Sequence, residues 1–365
     1  MTCRRFSLCS AGILPVDFAG RVDHHAAAVE VDGRHHRVGE RQQQRRALRR
    51  RNLDDVAGAE IMQRHHPADG IAFVNGAYIP LAQATIPLID RGFVRSDATY
   101  DVAHVWKGSF FRLDDHIERF QASMRGLRMS LPYSASEIAD ILVECVRRSG
   151  LRDAYVQMTC TRGVPPRGTR DPRLCENRFY AFAQPFVWIA NEEQRRDGLK
   201  MVVSSVQRIQ PEAVDPRIKN FHWLDLTMGI FEAYDRDALV AVLVDREGNI
   251  TEGAGFNVFT VRDGVLATPN RGIFEGMTRR TVIELAAELD IPCEVRPVSV
   301  DELRAADEIF LTSTAGGIMP VTVLDGSIYG NGKPGALTSR IHDTYWQRKA
   351  DGWLSTKVDY PDGDA

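Results

Sequence analysis

Two α/β domains built on hairpin-rich, mixed sheets are the architecture this sequence predicts, and three observations predict it. The chain has 365 residues, which suits two domains of about 100–200 residues each better than one ordinary core. Strand-like runs alternate with helical runs along its length. Tight-turn pairs such as Asn75-Gly76, Glu247-Gly248 and Asp263-Gly264 join many of the strand runs directly, which argues for hairpins over a doubly wound sheet.

The elements follow in order. Residues 1–66 differ from the rest: Arg34 to Arg51 reads RHHRVGERQQQRRALRRR, with almost no apolar residue and no helical stripe. The plain reading is disorder. Sequence translated upstream of the true start, with Met62 near that start, is an alternative, and no apolar segment suggests a signal peptide. The pairs His24-His25, His35-His36 and His65-His66 have no consistent neighbours from which to build a metal site.

A smaller α/β domain is expected over 67–190. IAFVNGAYIP alternates around Asn75-Gly76 and reads as a hairpin. FFRLDDHIERFQASMRGLRM reads as a strand end and then a helix from about Asp115. Ser134 and Glu137 form a capping-box candidate opening a helix that ends before Gly150. AYVQMTCTRG and NRFYAFAQPFVWI read as strands, with VPPRGTRDPRL as the loop between them.

The polar stretch 191–198 reads as a linker, 199–356 as a larger domain, and 357–365 as a tail. KMVVSSVQ opens the larger domain as a strand, and a helix spans Asp225 to Tyr234. ALVAVLVDREGNITEGAGFNVFTVRDGVLATP predicts three strands. TRRTVIELAAELD is an amphipathic helix after Gly276, and DEIFLTSTAGGIMPV is a strand entering a glycine turn.

Composition narrows the function. Hydrophobic content of 44%, charged content of 26% and a net charge of -3 describe an ordinary soluble chain, with no reason to expect nucleic acid or an anionic membrane as partner. No apolar run approaches the roughly 20 residues that span a bilayer. The six cysteines form no C-x-x-C pair, so neither a zinc site nor a disulfide framework is indicated, and reduced thiols in the cytoplasm are expected.

Only six lysines are present, whereas arginine is abundant. A deprotonated lysine amine forms an imine with an aldehyde and arginine does not, so chemistry of that kind has few candidate residues. Lys219, in DPRIKNFHWLDL, has apolar neighbours that would desolvate its amine and lower its pKa. Glu252, in Thr251-Glu252-Gly253, is a carboxylate at a strand end. Glu275-Gly276-Met277-Thr278 opens a helix with its N–H groups forward, and Ser313-Thr314-Ala315-Gly316-Gly317 turns after an apolar strand. Both are candidate phosphate holders. Gly253-Ala254-Gly255 is not a dinucleotide fingerprint, because no helix with a third glycine follows.

DPRIKNFHWLDL, ITEGAGFNVF, EGMTRRTVIELA and TSTAGGIMPV occur in the order and spacing of the class IV aminotransferases, and from about Gly70 to Tyr360 the chain resembles that family. RSDATYDVAHVWKGSFFRLDDHIERF and KNFHW are most similar to its (R)-selective amine transaminases. The resemblance implies a fold-type IV enzyme dependent on pyridoxal 5'-phosphate and acting as a homodimer.

It further implies a role for each matching position. Lys219 would bind the cofactor covalently and transfer protons. Glu252 would sit under the pyridine nitrogen, with Arg119, Met277, Thr278 and Thr314 at the phosphate. Tyr100, Val102, Tyr155, Trp223 and Ala315 would line the substrate pocket, and Arg167 would be a loop arginine pairing with the acceptor's carboxylate. The chain departs from the subgroup at Arg95, where a histidine is usual, and at Gln157, where some members have glutamate. Both positions belong to the substrate side.

The expected reaction is ping-pong transfer of an amino group from an (R)-amine or D-amino acid to a keto acid such as pyruvate. Branched-chain and D-amino-acid aminotransferases, a pyruvate-releasing lyase and a catalytically silent cofactor-binding relative are the alternatives.

Overall fold

The computed structural model describes residues 70–361, so the expectations for residues 1–66 and for the last residues of the tail, 362–365, lie outside the described residues. Strands β1 (Ile71–Val74) and β2 (Ala77–Pro80) pair across Asn75 and Gly76, whose φ values of 51° and 79° are what a two-residue hairpin needs. Helix α1 (Arg91–Arg95) leads to β3 (Ala98–Trp106), which is buried at every residue but the last, and then to β4 (Ser109–Phe111). Two amphipathic helices follow, α2 (Leu113–Gly126) and α3 (Ala135–Ser149). The capping box at Ser134 and Glu137 is present, and Gly150 closes α3 in the left-handed conformation at φ 70°. Strands β5 (Ala154–Thr161) and β6 (Arg178–Pro185) flank the expected loop, which contains a single 3-10 turn at Pro172–Leu174.

Residues 191–198, expected as a linker, contain a short helix, α4 (Glu192–Asp197), opened by a second capping box at Asn191 and Gln194. Next come β7 (Leu199–Gln207), α5 (Leu224–Asp235) and β8 (Val240–Val244). β8 lies parallel to β7, as a strand returning through a crossover helix does. The three strands expected between Ala238 and Pro269 are therefore four. The central one is split into β9 (Glu252–Gly253) and β10 (Phe256–Arg262), and β11 (Val265–Thr268) follows. β9 and β10 pair antiparallel across Ala254 and Gly255, the latter at φ 81°, and Gly253 passes so close to the Ala241 carbonyl and the Phe256 ring that no Cβ fits there.

Helix α6 (Met277–Glu288), β12 (Cys293–Val295) and α7 (Val300–Ala305) precede the hairpin of β13 (Glu308–Ser313) and β14 (Gly317–Leu324). The chain ends through β15 (Ser327–Ile328), α8 (Ala336–Ala350) and β16 (Ser355–Lys357).

Two sheets result. The first is antiparallel throughout, in the order β16-β4-β3-β5-β6-β1-β2, and α2 and α3 close its core around Phe120, Ile138 and Leu142. The second is mixed, in the order β12-β11-β10-β13-β14-β7-β8, with β9 on β10 and β15 on β14. One face packs Phe259 and Phe310, stacked at 4.9 Å, against Val282 of α6 and Ile341 of α8; the other packs Met201, Val242 and Leu311 with Leu303 of α7. Ser355–Lys357, at the expected junction of the larger domain and the tail, pairs with β4 of the first sheet.

No helix among the described residues is long and apolar enough to cross a membrane.

Candidate active site

Lys219 lies on the segment between β7 and α5, outside any strand or helix, yet it is held from two sides. Its carbonyl accepts from Tyr100 N at 3.2 Å and Thr99 Oγ1 at 2.7 Å, and its amide donates to Ser123 Oγ of α2 at 3.2 Å. The segment thereby covers the edge of β3 that β4 leaves unpaired. The ammonium nitrogen stands 4.4 Å from the Phe274 ring centroid and 4.6 Å from that of Tyr100. Burial lowers its pKa from 10.5 to about 8, with Arg119 acting in the same direction and Asp101 and Glu252 opposing it.

Glu252, at the start of β9, is 5% exposed. Its Oε1 accepts from Arg208 Nη2 at 2.9 Å and its Oε2 from Phe274 N at 2.8 Å. Burial pushes its carboxyl above the usual range, while Arg208 and the Phe274 amide pull it down. Arg208 also donates to Asp225 Oδ2 at 2.6 Å.

Arg119 of α2 makes a two-pronged contact with Asp101 of β3, Nε to Oδ2 and Nη2 to Oδ1, each at 2.8 Å. Its Nη1 donates to Glu275 O at 2.8 Å and its guanidinium stands 4.4 Å from the Phe274 ring centroid. It therefore reaches the N-terminus of α6, where Gly276 provides no side-chain cap and a Cβ on it would collide with Asn257 Oδ1. The first amides of α6 have no acceptor within the helix, and Thr278 is in that turn. Thr314 and Ala315 stand on the β13–β14 turn, which is held by Ser313 Oγ donating to Gly255 O at 2.7 Å.

One cavity collects most of the residues singled out in the sequence. Lys219, Glu252 and Arg119 line it, as do Met277, Thr278, Thr314 and Ala315. Tyr100, Val102, Tyr155 and Trp223 form its walls.

Three residues singled out as substrate-side do not line this cavity. Arg95 is exposed, donates to Val94 O at 2.7 Å and lines a neighbouring cavity with Asn220 and His222. Gln157 shares a sheet face with Tyr155 and Val102 but is not in the lining, accepting from the Tyr155 hydroxyl at 3.1 Å and donating to Thr159 Oγ1 at 3.0 Å. Arg167 is exposed on the loop between β5 and β6.

Sequence reasoning missed Arg208, Asp101, Asn257 and Phe274, which hold or flank the others. Arginines and acids of this kind are common along the chain, and only their partners across the fold distinguish them.

These groups fit pyridoxal phosphate. An uncapped helix N-terminus, a clamped guanidinium and threonine hydroxyls form an anion site. A buried carboxylate and a depressed lysine amine stand in the same cavity. Thr312 Oγ1, buried in that lining, has no partner among the described residues.

Residues 98–324 match the family model for amino-transferase class IV. The chain is 30% identical over 269 residues to the D-alanine aminotransferase of Bacillus licheniformis, covering 73% of this chain and 93% of that protein. It is 29% identical over 288 residues to the branched-chain-amino-acid aminotransferase of Pseudomonas aeruginosa, covering 76% and 92%. The branched-chain amino acid aminotransferase from Thermobaculum terrenum, solved in its PLP form, superposes with a TM-score of 0.72 at 28% identity, covering 81% of this chain and 100% of that one. The chain belongs to the class IV aminotransferases. It has the fold-type IV architecture and is a pyridoxal-phosphate-dependent aminotransferase.

Proposed function

We propose that the chain moves an amino group from an (R)-amine or D-amino acid with an apolar side group to a keto acid such as pyruvate, in two half-reactions at one cavity. The observation that carries this reading is the state of the cavity's guanidiniums. Among the described lining residues these belong to Arg119 and Arg208, and both are bonded to carboxylates. The walls of Tyr100, Val102, Tyr155 and Trp223 therefore meet an uncharged group, while Arg167 stands outside on its loop. A permanently buried, unpaired arginine beside an apolar donor would be costly, whereas a loop arginine can pair with the acceptor's carboxylate only when it arrives.

Bound pyridoxal phosphate supplies the electron sink for the reacting carbon. Lys219 would hold the cofactor, and its amine, when neutral, would take up and return the proton at the substrate carbon. Glu252 would keep a negative charge at the pyridine nitrogen, and Arg119, Thr278, Thr314 and the first turn of α6 would hold the phosphate. Tyr100, Tyr155 and Trp223 orient the donor and exclude water.

The test is a donor comparison of (R)-1-phenylethylamine, D-alanine and L-leucine, each with an acceptor keto acid other than its own keto product. Turnover of the first two above L-leucine supports this reading. A second reading, a branched-chain aminotransferase, is favoured by the structural similarity to the Thermobaculum terrenum enzyme and takes over if L-leucine dominates.

A further inference from the structure

We propose that Asp101 is a positioning residue that, acting through Arg119, sets the chain's preference for a phosphorylated over an unphosphorylated pyridoxal ligand. The proposal rests on the reading of Arg119 as a phosphate-holding side chain.

Successive residues of β3 point to opposite faces. Tyr100 and Val102 face the cavity, and Asp101 faces α2, where His116 and Arg119 lie one turn apart. The Asp101 carboxylate is 0% exposed, and both its oxygens are occupied. Oδ2 accepts from Arg119 Nε at 2.8 Å. Oδ1 accepts from Arg119 Nη2 at 2.8 Å and from Val102 N at 2.7 Å, and lies 2.8 Å from His116 Nδ1. Burial alone would raise this carboxyl, but Arg119 and His116 hold it well below the usual range, so it is ionised throughout the working pH range.

The two-pronged contact fixes the plane of the guanidinium, and the Glu275 carbonyl accepts from Nη1 at 2.8 Å. Arginine has five N–H groups. Asp101 and Glu275 engage one on Nε, one on Nη2 and one on Nη1. Nη2 also lies 3.3 Å from His116 Nδ1, but that nitrogen donates to the Asp101 carboxylate and cannot accept from it, so one N–H is left on each terminal nitrogen. Paired N–H groups on the two terminal nitrogens match two oxygens of a phosphate. An arginine without Asp101 would have to be ordered from many rotamers each time it met the phosphate.

The sign of the effect separates positioning from charge. A carboxylate beside Arg119 offsets its positive field, so on charge alone Asp101→Asn would tighten binding of a phosphate dianion. Positioning requires the opposite. The amide also turns an NH2 group toward donors on Arg119 or His116, which breaks the fork. A residue that merely stabilised the fold would alter both ligands alike.

The experiment titrates the full chain, freed of cofactor, with pyridoxal phosphate and with pyridoxal, reading absorbance and the pyridoxyl label fixed by borohydride. Asp101→Asn is expected to weaken pyridoxal phosphate by about tenfold or more while changing pyridoxal by less than about twofold. Asp101→Glu should restore part of the difference. Arg119→Met should reduce the ratio of the two affinities at least as far, and adding Asp101→Asn to it should reduce that ratio no further.

If Arg119→Met leaves the ratio unchanged, the phosphate role of Arg119 fails. If Arg119→Met collapses the ratio but Asp101→Asn does not, weakens both ligands alike or tightens pyridoxal phosphate, the role of Asp101 alone is overturned. Should Asp101→Asn not fold, His116→Phe removes one of the contacts holding Asp101. A fall in the ratio of about threefold then supports the proposal, and an unchanged ratio overturns it.

Discussion

Arg208 ties Glu252 to Asp225, donating to Glu252 Oε1 at 2.9 Å and to Asp225 Oδ2 at 2.6 Å. Burial drives the Glu252 carboxyl up, and the guanidinium is the nearest charge opposing it. Removing Arg208 leaves only the Phe274 amide and Lys219 to oppose the desolvation, so Glu252 stays protonated to higher pH. The anionic partner of the pyridine nitrogen then exists only above that higher pKa. Arg208→Met should therefore move the acidic limb of the half-reaction's pH profile upward. Glu252→Gln should slow the half-reaction by about two orders of magnitude or more at every pH, because its neutral amide does not titrate. An unshifted limb in Arg208→Met would show that Glu252 does not depend on this pair.

Borohydride should fix a pyridoxyl group to Lys219. Lys349 is the sharpest competitor, since burial lowers its pKa to about 7, but its amine lies 3.0 Å from His104 Nδ1 in an aromatic surround and outside the cavity lining. A label on Lys349 would sink the assignment. With a pKa lowered to about 8, the Lys219 amine becomes neutral on raising the pH through 8, well below the usual 10.5. Cofactor uptake by the apo chain should accordingly rise between about pH 7 and 9 and then level off, as stopped-flow absorbance would read.

Arg167→Ala should raise KM for pyruvate by about tenfold or more and leave the first half-reaction with an uncharged-tail amine within about twofold. Arg95→Ala serves as the control, since Arg95 lines the neighbouring cavity. Loss of pyruvate binding in Arg95→Ala alone would transfer the role to that residue.

Gly253→Ala tests the steric demand for glycine beside the β9–β10 turn. The added methyl would meet the Ala241 carbonyl and the Phe256 ring, and the loss of stability should be about 1–3 kcal/mol, measured by urea unfolding. A variant as stable as the parent would show that the strand yields without strain.

Much was legible from the sequence, for local reasons. Asn75-Gly76 dictates its hairpin because both residues accept positive φ, and Ser134 with Glu137 starts its helix because the partners are three residues apart. The glycine turns before α6 and after β13 announce themselves in the same way, and Lys219 stands out in a chain so poor in lysine. Family motifs then join these points into a class of enzyme.

Only the tertiary structure decided what depends on partners distant in the chain. Asp101 meets Arg119 because β3 packs on α2, and Arg208 reaches Glu252 across 44 positions. The need for glycine at 253 follows from its approach to Ala241, and β16 joins β4 from far along the chain, Thr356 opposite Phe110. The same holds for the three residues outside the cavity: the sequence names Arg95, Gln157 and Arg167, but which cavity a side chain enters is set by strand register and loop path. Local motifs are written in neighbouring residues, whereas the pairing of charges depends on which surfaces the hydrophobic core brings together.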